Sequence, residues 1–239
     1  MKVAINQSNY ISWKGYFDMI RTVDLFILYD DVQYTRRDWR NRNKIKTPNG
    51  LKWLTIPVNV KGRYHQKIKE TTISDKSWNS SHLKILKATY SKASHFKEVF
   101  PMVEELYMTA NYETISEINF HFISRICQYL NIDTKIVFSS NYDLTEQRKN
   151  ERLIDICKQA GATEYISGPL AKDYIARDDF ESSNIKITWM DYEGYPEYPQ
   201  LYGEFVHKVS ILDVLFNCGK KTINLIQQNA VNNRKKNDM

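Results

Sequence analysis

Two adjacent acids, Asp30 and Asp31, closely followed by Arg36, Arg37, Arg40 and Arg42, are the residues whose types and spacing best suit chemistry in this chain. Carboxylates carry several fixed acceptor sites, so the pair could hold Mg2+ or accept hydrogen bonds from the hydroxyls of a ribose or hexose. The structural alternative is a capping role, or an ion pair with Arg36 or Arg40. Guanidinium groups grip phosphate oxygens two at a time, which makes Arg36, Arg37, Arg40 and Arg42 candidates for an anion site, against the plainer reading of a solvated face. Tyr10, Trp13 and Trp39 offer rings on which a sugar or base could stack, or that simply fill the core. His82 and His207 are the candidate proton carriers, because imidazole titrates near neutrality; structural or surface roles stand beside that reading.

A second junction of interest is Ser167-Gly168-Pro169-Leu170-Ala171-Lys172, after a short strand-like run. Free backbone N–H groups there, with Lys172 close by, suit an anion, as an alternative to an ordinary turn. No glycine-rich nucleotide loop, nucleophile elbow or metal-binding helix motif is present. The five histidines are too scattered to form a local ligand pair, so no metal is assigned.

The net charge of +6 is local. Residues 35–52 alone carry +6 and residues 220–239 carry +4, leaving the remainder at −4. Concentrated charge of that kind fits a phosphate or polyanion site better than a general nucleic-acid coat. Three separated cysteines in apolar surroundings, no signal-like start and no long apolar run point to a cytoplasmic protein without a membrane span.

Positioning these groups requires an α/β frame. Lys2 to Asn6 reads as a strand, the segment from Gly15 as a helix, and Leu25 to Tyr29 as a strand buried on both faces, together a right-handed βαβ unit. Residues 40–46 and 51–60 flank Thr47-Pro48-Asn49-Gly50 as an antiparallel hairpin. Helical spacing follows over 77–91, over 96–108 with an interruption at Pro101, and over 113–130. Strands at 135–138, 164–167 and 186–190, a helix at 150–160 ending at Gly161, and a helix capped by Ser210 complete the pattern. The expected architecture is a Rossmann-like, mostly parallel sheet with helices on both faces, in one α/β domain over 1–219. The hairpin (about 40–60) and a helical insertion (about 76–131) lie within it, and 220–239 forms a C-terminal helix and basic tail.

The chain resembles the WbqC-like family, found among bacterial O-antigen and surface-polysaccharide biosynthesis proteins. The resemblance spans nearly the whole chain. It is carried by Gln7-Ser8-Asn9-Tyr10 with Trp13-Lys14-Gly15-Tyr16, by Tyr29-Asp30-Asp31-Val32-Gln33-Tyr34, and by Trp39-Arg40-Asn41-Arg42-Asn43. Trp53-Leu54-Thr55, Trp78 with His82, Tyr165-Ile166-Ser167-Gly168-Pro169, Tyr198-Pro199-Gln200 and Ser210-Ile211-Leu212-Asp213 extend it. Ser8 and Ser12 stand where the family tends to have proline. A weaker likeness, to adenylyl-transferring HUP-type enzymes, rests on the early strand and on a glycine at the first helix start. The two histidines of their first motif are replaced by Trp13 and Tyr16. Lys14, Arg36, Arg42 and Lys172 would have to supply their charge.

The resemblance implies surface-polysaccharide biosynthesis more firmly than any reaction, and the leading reading within it is an enzyme that places an acyl or aminoacyl group on the amine of a nucleotide-linked sugar, with ATP or an acyl donor as co-substrate. His82, Asp30 and Asp31 form the expected catalytic set. Gln7, Asn9, Tyr10, Trp13, Lys14, Arg36, Trp39, Arg42, Asn43, Ser167, Gly168 and Lys172 form the expected binding set. The alternatives are a non-catalytic scaffold of polysaccharide assembly and, less favoured, a nucleic-acid-binding protein using the 36–52 hairpin.

Overall fold

The computed structural model describes residues 1–146 and 148–226. Its frame is a parallel sheet of five strands, β1 (Lys2–Asn6), β2 (Leu25–Leu28), β5 (Lys135–Phe138), β6 (Glu164–Ser167) and β7 (Lys186–Trp189). They lie in the order β5-β2-β1-β6-β7, every pair parallel. The chain therefore starts in the centre, winds outward through β2 and β5, then crosses back to add β6 and β7 on the other side. Strand order reverses between β1 and β6. In open α/β sheets that reversal opens a crevice beyond the carboxyl ends of the strands, where ligands bind.

Burial on both faces explains the uninterrupted apolar run of β2. Phe26 and Leu28, with Ala4 and Ile166, enter a large core under α1 (Lys14–Thr22), α4 (Ile115–Tyr129) and α7 (Ile211–Cys218). Leu25 and Ile27, with Val3, Ile5, Tyr165 and Ile187, face a second cluster under α5 (Lys149–Gln159) and α6 (Arg177–Ser182). One strand thus feeds two cores, because successive side chains alternate between faces.

The long connection from β2 to β5 holds a separate antiparallel hairpin, β3 (Arg42–Thr47) and β4 (Gly50–Thr55), then α2 (Trp78–Tyr90), α3 (Phe96–Met108) and α4. Gly50 takes φ +94° at the turn, a conformation few side chains tolerate. Contrary to the interruption expected at Pro101, α3 runs unbroken through it. Pro101 and Lys97, whose carbonyl loses its partner there, both lie on the exposed side, where solvent can reach the freed group. α4 starts with a capping box, Thr114 accepting from the Glu117 amide and Glu117 from the Thr114 amide. Ser210 caps α7 by accepting from the Leu212 amide at 3.2 Å. A short α8 (Thr222–Leu225) follows. The expected basic tail beyond it lies outside the described residues. Among the described residues no helix is long and apolar enough to cross a membrane.

Residues 190–209, between β7 and α7, carry no helix or strand. One buried carboxylate anchors the segment. Asp213 accepts from the hydroxyls of Tyr90 and Tyr198 and from the Gln200 amide, each at 2.7 Å. Gln200 in turn accepts from Lys46 Nζ at 2.9 Å, so α2, α7, the hairpin and the segment share one polar knot.

Candidate functional site

At the carboxyl end of β1 the chain enters a loop of polar residues that other elements hold in an unusual shape. Ile11 sits at φ +36°, rare for a branched side chain and a mark of stored strain. Asn43 of β3 donates to the carbonyls of Tyr10 and Ile11 at 3.1 and 3.0 Å, and Ser210 Oγ donates to that of Ile11 at 2.8 Å. Asn43, expected to bind substrate, is therefore a staple between hairpin and loop.

Arg40 reaches into this loop. Its guanidinium donates to the side-chain oxygens of Gln7 and Asn9 and lies 3.6 Å from Asp38. The side chain is only 12% exposed, and burial lowers its pKa while Asp38 opposes the shift. Two neutral amides hold the group in place, and Asp38 is its nearest carboxylate. Arg40 is thus a fixed cation beside the end of β1, where an anion is best received.

The twin aspartates at the end of β2 face different partners. Asp30 is buried and accepts from the Ser8 amide at 2.8 Å and from the Ser116 hydroxyl. Burial raises its pKa, and the bonds from Ser116 and Ser8 hold the rise back. Asp31 accepts from Ser139 Oγ at 2.8 Å and pairs with Lys69. They tie the first loop and the end of β5 to the sheet, and neither offers a free carboxylate pair for Mg2+ or sugar hydroxyls. Among the described residues there is no cluster of His, Cys, Asp and Glu able to hold a metal.

Helix α1 opens beside the same crevice. Trp13 folds its indole over Gly15, where a Cβ would lie 2.4 Å from a ring carbon, so only glycine fits. The indole meets Tyr192 and Tyr195 of the 190–209 segment edge-on, with ring centres 5.1 and 6.0 Å away. Tyr192 also approaches Gly168 at the end of β6. Lys14 is buried, its amine donating to the Pro196 carbonyl at 3.2 Å and standing 5.0, 5.5 and 5.7 Å from the rings of Tyr195, Tyr198 and Phe205. Loss of water lowers its pKa to about 8, with Cys218 and Glu197 pulling it back upward. Asp18, one turn on, is also buried. Desolvation raises its carboxyl to about 6 despite the hydrogen bond from Tyr195.

Both groups are charged near neutral pH although buried. A carboxyl raised from 3.8 to about 6 in the fold withdraws stability as pH climbs through that interval. An amine lowered from 10.5 to about 8 burdens the fold below 8 and relieves it as pH rises towards 10.5. Asp18→Asn keeps an acceptor for Tyr195 and should therefore raise the unfolding free energy by roughly 3 kcal/mol near pH 7.5 and leave it almost unchanged near pH 4. Urea titrations at the two pH values check this; equal effects at both would disprove it.

Several expected site residues lie elsewhere. Tyr10 is fully buried, its hydroxyl between His82 Nδ1 at 2.9 Å and Tyr107 at 2.6 Å, so no ligand can stack on it. His82 donates from Nε2 to the Thr55 carbonyl at 3.2 Å, which leaves Nδ1 to accept from Tyr10. With both nitrogens used and its pKa pushed down to about 4 by burial, His82 is a core residue and not the base. His207 packs edge-on against Phe205, a wall of the Lys14 cage. Arg36 donates to the Val60 carbonyl at 2.7 Å and Arg42 to that of Arg37, so neither is a free phosphate clamp. Trp39 turns outward on the hairpin. Ser167 is buried at the end of β6, Gly168 sits half-buried beside it, and Lys172 is exposed on the following 3-10 turn. Lys14, Arg36, Arg42 and Lys172, which nucleotide chemistry of the HUP type would need together, thus have separate surroundings. Asp18 and Tyr195 were not expected. The i, i+4 spacing of Lys14 and Asp18 on α1 was the one available sign.

The family model for the WbqC-like protein family matches residues 7–225. The chain belongs to that family. It is also similar to uncharacterized protein Rv1507c of Mycobacterium tuberculosis, 51% identical over 218 residues that cover 91% of this chain and 94% of the relative. No solved structure matches it. Of the motifs named for the family, Gln7-Ser8-Asn9, Trp13-Lys14-Gly15, Asp30-Asp31 and Ser167-Gly168 all stand at carboxyl ends of sheet strands or on the helix that follows. The others, around Asn43, Trp78 with His82, and Tyr198 with Gln200 and Asp213, brace the loop, the core and the covering segment.

Proposed function

We propose that this protein binds a nucleotide-linked amino sugar at the β1–β6 reversal point and places an acyl or aminoacyl group on its amine, in bacterial surface-polysaccharide biosynthesis. One observation carries the reading: Arg40, held by Gln7 and Asn9 and paired with Asp38 at 3.6 Å, fixes a guanidinium beside the carboxyl end of β1, which borders the crevice where open α/β sheets bind ligands. A diphosphate is the anion such a planar donor suits. Family membership supports the polysaccharide setting.

Within this reading, Trp13 and Tyr192 enclose the sugar, and the 190–209 segment shifts to admit it. Asp18, near 6, accepts the proton that the sugar amine loses as it attacks the donor carbonyl. Lys14, charged below about 8, stabilises the oxyanion that forms. An activated acyl or aminoacyl compound is the second substrate: the oxyanion collapses to the amide, the bond to the activating group breaks with its electron pair, and Asp18 passes its proton to that leaving group. Isothermal titration against a panel of nucleotide sugars tests the binding step. At least one should bind about a hundredfold tighter than inorganic phosphate, near 2.7 kcal/mol; affinities no better than phosphate would end the proposal.

A further inference from the structure

Away from the crevice, we infer that the outer face of the β3–β4 hairpin binds an acidic, uronate-bearing saccharide chain. Strand register sets Arg42 and Lys44 opposite Thr55 and Trp53 on this face, while Asn43, Ile45 and Leu54 turn into the protein and Lys46, further along, is buried against Gln200. Trp39 joins from the preceding loop. The two indoles are 41% and 37% exposed, with ring centres 5.4 Å apart and planes tilted by 41°. Arg42 lies 4.0 Å and Lys44 4.9 Å from the centre of the Trp53 ring. Leu51, 45% exposed, leads from there into a concavity of roughly 490 Å³ between Thr47, Pro48, Tyr202 and Gly203. That is the size of a small-ligand pocket.

Adjacent exposed indoles are costly to leave in water, and their partners can be argued from shape and charge. Sugar rings offer flat C–H faces to indoles, and a tilted pair can take consecutive rings of a twisting chain. The guanidinium of Arg42 and the amine of Lys44 ask for a chain carrying negative charge. Arg42 and Lys44 stand beside Trp53, where carboxylates on a stacked sugar would meet them. Single-stranded nucleic acid also combines stacking with phosphate contacts. It needs successive parallel ring faces, whereas the two indoles here are tilted by 41°.

Tryptophan fluorescence titrations of the full chain test the inference, using hexagalacturonate, neutral maltohexaose and an oligothymidylate of matched length. Hexagalacturonate should bind about tenfold or more tightly than maltohexaose. Trp53→Ala and Trp39→Ala should each weaken it by about tenfold, with unchanged melting temperature because both rings are exposed. Nucleotide-sugar binding at the crevice should be the same in these variants, so the two readings fail separately. Equal binding of the neutral sugar, no effect of either alanine, or tighter binding of oligothymidylate would each overturn the inference.

Discussion

Replacing Arg40 with methionine should weaken binding of the nucleotide sugar by about a hundredfold or more, the loss expected when a planar, charge-assisted clamp on phosphate is removed. Methionine fills much of the same space, and the released amides of Gln7 and Asn9 lie at a half-buried rim that water can reach. Stability should therefore move by no more than about 1 kcal/mol. Arg40→Lys is the sharper control. Lysine keeps the charge but cannot meet both Gln7 and Asn9 while facing a ligand with a second edge, so most of the affinity should still be lost. Titration calorimetry on the three proteins, with thermal melts alongside, gives the answer. Full affinity in Arg40→Met would mean that the anion sits elsewhere.

Asp213→Ala should remove about 3 to 5 kcal/mol of stability. Three donors converge on this carboxylate, and its loss strands the buried hydroxyls of Tyr90 and Tyr198 together with the Gln200 amide. The burden passes on, because Gln200 would no longer be fixed to receive Lys46, whose amine also serves the Gly203 and Glu204 carbonyls. For a chain of this size the drop in melting temperature should be roughly 10 °C. Urea unfolding followed by circular dichroism measures the loss. Asp213→Asn, which keeps two oxygen lone pairs but gives up the charge, should fall between alanine and the parent chain. A loss near zero for alanine would show that the 190–209 segment is held by its aromatic packing alone.

Local pattern was enough to place the elements wherever burial and capping act over a few residues. The two-sided apolar run at Leu25, the Pro48-Asn49-Gly50 turn, the Gly161 terminator at φ +70° and the Ser210 cap all express rules that operate within a turn or a strand. Pro101 was misleading for a matching reason: its cost depends on whether the freed carbonyl reaches water, and that is a property of the folded surface.

The site was legible only in outline. A strand ending in acids and a basic stretch beyond it do mark the carboxyl side of the sheet, and that much follows from residue order alone. Which arginine of the run is held by the first loop, and which are spent on backbone carbonyls, depends on partners far along the chain: Gln7 and Asn9 for Arg40, Val60 for Arg36. His82 looked suited to proton transfer until packing with Tyr10 and Tyr107 buried it, and Lys14 acquired its lowered pKa from Tyr195, Tyr198 and Phe205, all supplied by a segment nearly two hundred residues away. Residue types along the chain determined strands, helices and family, because those depend on neighbours in sequence. Tertiary structure alone decided which polar groups keep their charge exposed to a ligand, because desolvation and pairing are set by neighbours in space.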